Sequence, residues 1–134
     1  MAGLVALDTT FLIDLQRERA RGLRTGAAHR FLVQDPEREL HLSVAALGEF
    51  SEGFDDLDDP TLRTVRELHV LLVADEETAL EYGRVARVLR AEGRLIGTND
   101  LWIAATSIRH GIPLVTANTR EFARIDGLEV IGYR

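Results

Sequence analysis

The stretch Leu4-Val5-Ala6-Leu7-Asp8-Thr9-Thr10-Phe11-Leu12-Ile13 decides the fold of this chain. Its first four residues form a short apolar run that is typical of a buried strand, and the apolar run after the two threonines begins a helical pattern. Asp8 therefore stands where a strand ends and a helix begins. Open α/β sheets bind ligands at this position, outside the carboxyl ends of their strands. The stretch indicates a functional carboxylate on an α/β fold, although an isolated acid here is also explained by capping of the following helix.

Strand-like and helix-like segments alternate along the rest of the chain. This alternation predicts a mainly parallel sheet that is covered by helices on both faces. With 134 residues and no linker-like stretch, we expect one domain over residues 1–134. In the clearest helix, the expected apolar side consists of Leu80, Val85, Val88 and Leu89. The predicted strands are 4–7, 40–43, 70–73, 112–116 and 128–131, and the predicted helices are 10–19, 26–34, 44–54, 60–69, 76–92, 98–110 and 119–125.

Composition limits the classes of function. The chain has no cysteine, which excludes disulfides, a thiol nucleophile and thiolate metal sites. All 16 basic residues are arginine, and without lysine the chain lacks a residue that P-loops, Schiff-base enzymes and phosphoacceptor receiver domains need. No apolar stretch is long enough to span a membrane and no secretory signal is visible, so we expect a cytoplasmic protein without a membrane partner.

Three more acids occur in settings like that of Asp8, near a strand end or a helix start: Glu49, Asp100 and Glu121. Glu49 adjoins the apolar face of its predicted helix, where a carboxylate needs a cationic partner because its desolvation is costly. The carboxyl ends of parallel strands meet at one edge of a sheet, so we expect all four acids to converge there. Helix capping is the alternative for Asp100 and for Glu121, which follows Asn118 at capping-box spacing.

The four acids together indicate a metal site. Converging carboxylates repel one another, and hard divalent cations such as Mg²⁺ or Mn²⁺ relieve that repulsion. Such ions activate a water and polarise a phosphoryl group, as phosphodiester hydrolysis requires. The net charge of −6 has the wrong sign for nucleic-acid binding, but a metal-loaded carboxylate cluster is largely neutralised. A non-catalytic acidic module that binds an arginine-bearing partner remains an alternative from a different class.

Four segments carry a resemblance to a known family: VALDTTFLID at 5–14, SVAALGEFSEG at 43–53, NDLWIAA at 99–105 and LVTANTREF at 114–122. In this order they resemble the motifs of PIN-domain ribonucleases of the VapC toxin group. The second resembles the motif in which a glutamate is followed four residues later by a glycine, and the third resembles the usual Asp-hydrophobic-hydrophobic-Ile-Ala-Ala motif. Each motif is weak alone, but four in register across essentially the whole chain are specific.

The resemblance implies a fold and an activity. The fold is a PIN-like three-layer α/β/α sandwich with a mainly parallel central sheet. The activity is that of a Mg²⁺- or Mn²⁺-dependent endoribonuclease, the toxin of a type II toxin–antitoxin pair, which hydrolyses RNA with a metal-activated water. A homodimer and a VapB-like antitoxin are the implied protein partners. A PIN nuclease of RNA processing, outside such a pair, is the alternative.

The resemblance also assigns site residues. Asp8, Glu49 and Asp100 match the three main metal-binding and catalytic acids of the family. The last motif departs from the family, because Asn118 stands where many relatives have aspartate and Glu121 stands at the Asp-Phe position. An amide binds a hard metal more weakly than a carboxylate does, so we favour Glu121 as the fourth metal-binding and catalytic acid and Asn118 as a polar support. The hydroxyls expected to orient the acids are those of Thr9, Thr10 and Thr116.

Two groups of arginines are candidates for RNA binding. Arg17 and Arg21 follow the first motif, and Arg84 and Arg87 lie along one side of the helix at 76–92. Arginine is suited to phosphate contacts, and either group is equally well explained as a solvated helix face.

Overall fold

The computed structural model describes residues 3–134, which form one parallel sheet and the helices around it. This confirms the predicted α/β class, and the architecture is a three-layer α/β/α sandwich. The elements in chain order are β1 (Leu4–Leu7), α1 (Thr9–Ala20), α2 (Ala27–Gln34), β2 (Glu39–Ser43), α3 (Val44–Ser51), α4 (Pro60–Leu68), β3 (Val70–Leu72), α5 (Glu76–Ala91), α6 (Thr98–His110), β4 (Leu114–Thr116), α7 (Thr119–Phe122) and β5 (Val130–Gly132).

The order of the strands places a switch point in the middle of the sheet. The order is β3-β2-β1-β4-β5, so the chain builds outward from β1 to β3 and then returns to add β4 and β5 on the other side of β1. The direction of the connections therefore reverses between β1 and β4. Ligands of open α/β sheets bind at the carboxyl ends of the strands at such a point. Asp8 follows β1 and Thr116 ends β4, so both lie at the switch point.

Side-chain caps make the changes from strand to helix abrupt. A single residue, Asp8, separates β1 from α1, and its carboxylate accepts a hydrogen bond from the first amide of that helix. No residue separates β2 from α3, where the Ser43 hydroxyl accepts a 3.0 Å hydrogen bond from the amide of Ala46. An N-cap bond of this kind typically contributes about 0.5–2 kcal/mol. The side chains at these junctions are thus held by regular structure at one edge of the sheet.

The predicted apolar side of α5 is only half right. Val85 and Leu89 are buried, but Leu80 is 68% exposed and Val88 is 42% exposed. The inward stripe of α5 instead includes Thr78, which is fully buried. Leu80 follows Thr78 by two residues, about 200° around a helix, and therefore points away from the core.

Several predicted ends differ from the structure by two or three residues. The helix predicted for 44–54 ends at Ser51, and the helix predicted for 119–125 ends at Phe122. The strand predicted from 112 begins at Leu114, because Pro113 has no N–H to give to the ladder. The longest described helix, α5, has 16 residues, and none of the described helices combines the length and the apolar character that crossing a membrane requires.

Candidate active site

Asp8 is the buried carboxylate at the switch point, with only 1% of its surface exposed. Its Oδ1 accepts a hydrogen bond from the amide of Thr9 at 2.8 Å, and its Oδ2 accepts hydrogen bonds from the hydroxyls of Thr10 at 3.1 Å and Thr116 at 2.7 Å. Burial raises the pKa of Asp8, the three hydrogen bonds oppose that rise, and the charge of Glu49 adds to it. Asp8 therefore does cap α1, while its second oxygen faces the end of β4.

Two threonine hydroxyls connect the first strand–helix junction to the last. Thr116 is fully buried, and besides donating to Asp8 its hydroxyl oxygen accepts a 2.9 Å hydrogen bond from the amide of Asn118. The hydroxyl oxygen of Thr10 likewise accepts a 3.3 Å hydrogen bond from the amide of Ala117. Thr9, expected to orient the acids through its hydroxyl, contacts Asp8 through its backbone amide instead. The Thr9 hydroxyl is buried and finds no hydrogen-bond partner among residues 3–134.

Glu49 and Asp100 approach from two helices that pack together, α3 and α6. Glu49 is partly buried, and its Oε2 accepts a 3.0 Å hydrogen bond from the side-chain amide of Asn99. The sequence analysis gave Asn99 no role, although its position next to Asp100 was a usable signal. The two helices are therefore also joined by a polar contact at the site.

The other three acids lie close enough to Asp100 for their charges to affect its pKa. Burial raises that pKa to about 6, together with the negative charges of Asp8, Glu49 and Glu121. No hydrogen bond from any described residue reaches the Asp100 carboxylate, and the N-cap of α6 is Gly97. Asp100 thus benefits from the α6 dipole in the first helical turn, but its charge is otherwise uncompensated.

The last motif places an exposed amide and a partly buried acid near the cluster. Asn118 is the N-cap residue of α7, and its exposed side chain makes no cap hydrogen bond. The capping-box alternative is therefore not realised. Glu121 is partly buried, and its charge is among those that raise the pKa of Asp100.

Among residues 3–134, none of the four candidate arginines forms an ion pair with an acid of the cluster. Arg21 lies at the far end of α1, about 20 Å along the helix from Asp8, and Arg17 is in the last turn before it. Arg84 is paired with Glu81 at 2.8 Å on α5. Arg17, Arg21, Arg84 and Arg87 are all exposed.

The donor set of the cluster fits a hard divalent cation. Every candidate ligand is a carboxylate oxygen, which is the donor type that Mg²⁺ and Mn²⁺ prefer, and the unrelieved repulsion at Asp100 is what a cation would remove. In the side-chain conformations of the described residues, however, no three carboxylate or imidazole groups form a cluster that is ready to hold an ion. The acids share one region without forming a closed coordination shell.

A second polar group borders the acids, and the sequence analysis missed it. The Tyr133 hydroxyl donates a 2.5 Å hydrogen bond to Oδ2 of Asp14, and Arg134 donates to the same oxygen at 2.8 Å. Burial and the Asp14 carboxylate raise the pKa of Tyr133 to about 12, and the Thr10 hydroxyl is close enough to oppose that rise. The Tyr133 ring also packs edge-on against Phe11 at 4.8 Å between centroids. No sequence signal joins residues 119 positions apart.

Comparison with known proteins assigns the family. The sequence model of the PIN domain matches residues 5–128. Ribonuclease VapC1 of Haemophilus influenzae (strain R2866) is 31% identical over 129 residues, which are 92% of this chain and 92% of that protein.

Solved structures agree with this assignment. VapBC-1 from nontypeable Haemophilus influenzae matches with a TM-score of 0.78 and 29% identity, over 97% of this chain and 98% of that chain. VapBC-5 from Mycobacterium tuberculosis, described as a member of the VapBC family of toxin-antitoxin systems, matches with a TM-score of 0.67 and 26% identity, over 98% of each chain. The matches in sequence and structure span nearly the whole chain, and the chain therefore belongs to the PIN domain family, within its ribonuclease VapC group.

Proposed function

We propose that this protein is a metal-dependent endoribonuclease that hydrolyses RNA phosphodiester bonds. The observation that carries the proposal is the proximity of Asp8, Glu49 and Glu121 to Asp100: burial, and then the charges of these three acids, raise the pKa of Asp100 to about 6. The relatives named as ribonucleases support RNA as the substrate.

Asp8, Glu49, Asp100 and Glu121 are the proposed ligands of Mg²⁺ or Mn²⁺. When bound, such an ion activates a water and polarises the phosphoryl group. The protein's own contribution is to orient the acids. Thr116 and Thr10 fix Oδ2 of Asp8, and Asn99 holds Glu49. Groups that orient ligands in this way commonly change metal affinity or activity by about 10–100-fold when they are removed.

Cleavage of a labelled RNA with Mg²⁺ or Mn²⁺ tests the proposal. Asp8→Asn and Asp100→Asn are each expected to lower the rate at least 100-fold while the variants stay folded, and Asp126→Asn, at an exposed loop position, serves as the matched control. Unchanged cleavage by the site variants would refute the site. Calorimetry with Mn²⁺ separates the enzyme from an acidic binding module, because the module predicts no binding at millimolar concentrations.

We further propose that the enzyme is the toxin of a toxin–antitoxin pair and binds a VapB-like antitoxin. Support comes from the VapBC proteins that share its fold. The surface offered to such a partner is an apolar groove of about 530 Å³ between α1 and α4, with Phe11, Leu15, Val65 and Leu68 among its lining residues. Leu68, which lines this groove, is 63% exposed and is therefore accessible to a partner.

Co-expression with the product of a neighbouring short reading frame tests the partner. Leu68→Arg is expected to abolish co-purification, and Leu57→Arg, at an equally exposed leucine in the loop before α4, is expected to leave it intact. A chain that cleaves RNA but binds no such product would instead be an RNA-processing nuclease.

A homodimer is proposed from the exposed face of α5. Leu80 and Val88 lie on this face. A two-fold axis between them would place Leu80 of each copy against Val88 of the other copy. The charges along α5 fit the same antiparallel arrangement, because its first half is acidic and its second half is basic: Glu76, Glu77 and Glu81, then Arg84, Arg87 and Arg90.

A further inference from the structure

A small cavity lies between α2 and the end of β5, outside the acid cluster. Its volume is about 200 Å³, several times the roughly 30 Å³ share of one water molecule. The polar side chains around it are those of Arg30, Gln34, Arg38 and Tyr133. None of these carries a negative charge, because Tyr133, with a pKa of about 12, stays protonated near neutral pH.

The two guanidinium groups differ in how firmly they are held. Arg38 lies over the ring of Phe31 at 4.1 Å and donates a 3.2 Å hydrogen bond to the carbonyl of the same residue, so it forms a fixed wall of the cavity. Its nearest carboxylate, that of Asp35, is at 3.8 Å, too long for a hydrogen bond. Arg30 is exposed, donates to the carbonyl of Thr25, and forms no ion pair with any residue in 3–134. Among residues 3–134, no carboxylate pairs with Arg30, so its positive charge is available to a ligand in the cavity.

One end of the cavity, formed by Gly132 and Tyr133, lies at the same edge of the sheet as the acids. Gly132, in its wall, pairs with Thr116, whose hydroxyl holds Asp8. Tyr133 forms the partition, because its ring packs on Phe11 and its hydroxyl lies beside Thr10 and Asp14. A strand of nucleic acid with one phosphate at the acids and the next phosphate at the cavity would cross this partition.

We propose that the cavity formed by Arg30, Gln34, Arg38 and Tyr133 binds a phosphate of the RNA strand next to the phosphate that is cleaved. The acids repel the rest of the strand, so a separate cationic contact is needed to hold it, and guanidinium groups match phosphate oxygens in a bidentate geometry. The inference rests on the proposed ribonuclease function and adds a substrate contact that sequence reasoning placed elsewhere, at Arg17, Arg21, Arg84 and Arg87.

Binding of a fluorescein-labelled single-stranded RNA tests the cavity, with every variant made in the Asp100→Asn background so that the probe is not cut. Arg30→Glu is expected to raise Kd about tenfold at 0.1 M salt and to flatten the slope of log Kd against log salt by about 0.7, the value for one lost phosphate contact on a single strand. Arg30→Lys should recover most of the affinity. The matched control is Arg66→Glu, an exposed arginine on α4, which should stay within about twofold of the parent.

Three outcomes would overturn the proposal. One is a Kd for Arg30→Glu equal to that of the parent, and another is an equal loss for Arg66→Glu, which would indicate a general effect of net charge. The third is unchanged RNA binding with weaker antitoxin binding, which would assign the cavity to a protein carboxylate. The proposed function has a separate test. If the protein with Asp100 intact does not cleave RNA in the presence of metal, the ribonuclease function is refuted, whatever the effect of Arg30→Glu on RNA binding.

Discussion

The hydroxyl of Thr116 donates a 2.7 Å hydrogen bond to Oδ2 of Asp8 and so joins the ends of β1 and β4 where the strand connections reverse. Thr116→Val keeps the shape of the side chain and removes this donor. The change also leaves the Asn118 amide without its acceptor. The Thr116→Val substitution therefore tests how Asp8 is oriented.

For Thr116→Val we expect a loss of about 1–2 kcal/mol in the free energy of unfolding and a 10–100-fold loss in Mn²⁺ affinity or RNA cleavage. Urea unfolding and calorimetry measure the two effects. Thr116→Ser restores the hydroxyl and should recover most of both. A valine variant with parental metal affinity would show that Asp8 needs no orienting donor.

Asp100→Asn should stabilise the metal-free protein at neutral pH. The folded-state pKa of Asp100 is about 6, above the unfolded value of about 3.9. A raised pKa stabilises the folded state fully at low pH, and this contribution is lost as the pH rises from about 4 to about 6. The stability advantage of the asparagine variant should therefore grow over this range and stay level above it, at on the order of 1 kcal/mol after allowance for solvent screening.

Urea unfolding with a chelator between pH 4.5 and pH 8 measures this difference. Asp126→Asn, at an exposed site, should show no such trend. Addition of Mn²⁺ should reverse the order, because only the parent retains the full set of ligands and binding stabilises the folded state. An advantage that does not vary with pH would contradict the raised pKa of Asp100.

Glu121 and Asn118 can be separated by metal affinity. Glu121→Gln replaces a proposed carboxylate ligand, whose charge is near enough to raise the pKa of Asp100, with a neutral amide. Because a hard cation binds an amide more weakly, we expect Mn²⁺ binding to weaken at least tenfold. Asn118→Ala removes an exposed side chain that makes no cap bond, and it should change binding less than threefold. The reverse ranking in calorimetry would make Asn118 the fourth member of the site.

Glu18 anchors the start of α2 and occupies the space that a side chain on Gly26 would need. The Glu18 carboxylate accepts 3.0 Å hydrogen bonds from the amides of Ala28 and His29, and a Cβ on Gly26 would lie 2.2 Å from its Cδ. Gly26→Ala displaces this cap and should cost about 1–2 kcal/mol in thermal or urea unfolding. Gly48→Ala, in helix α3 with nothing within 4 Å, is the control and should be neutral or stabilising. Equal effects at the two glycines would show that the cap is dispensable.

The α5 dimer predicts a change in molecular mass on a single substitution. Leu80→Glu places a charge in the proposed two-fold contact and should give a monomer in light scattering. Leu57→Glu, at a leucine that is 66% exposed compared with 68% for Leu80, should leave the mass unchanged. If both variants keep the parental mass, the contact lies elsewhere or the protein is a monomer.

The fold and the core of the site followed from local patterns. Short apolar runs bounded by charge, Gly or Pro predicted each strand, and Asp8 marked the first strand end to the residue. The positions of Asp8 and Glu121 follow from the parallel topology, since both come after strands whose ends share an edge. Asp100 does not, because α6 follows α5 with no strand between them. Such inferences succeed where neighbours in sequence determine the structure.

The remaining features depend on contacts that the sequence does not announce. Leu80 is apolar yet exposed, because the direction of a helix face depends on what packs against it. Thr9 gives Asp8 its backbone amide rather than its hydroxyl, a choice set by the start of α1. The hydrogen bond from Tyr133 to Asp14 joins the last strand to the first helix, and no periodicity reports such a pair.

The partners of Asp8 also set the order in which the site can form during synthesis. Two of them, Thr9 and Thr10, are its neighbours, but Thr116 lies 108 residues later. A chain emerging from the ribosome therefore makes the capped start of α1 early and completes the hold on Asp8 only after β4 has docked beside β1. For the proposed enzyme, the hold on Asp8 is therefore incomplete until most of the chain has been made.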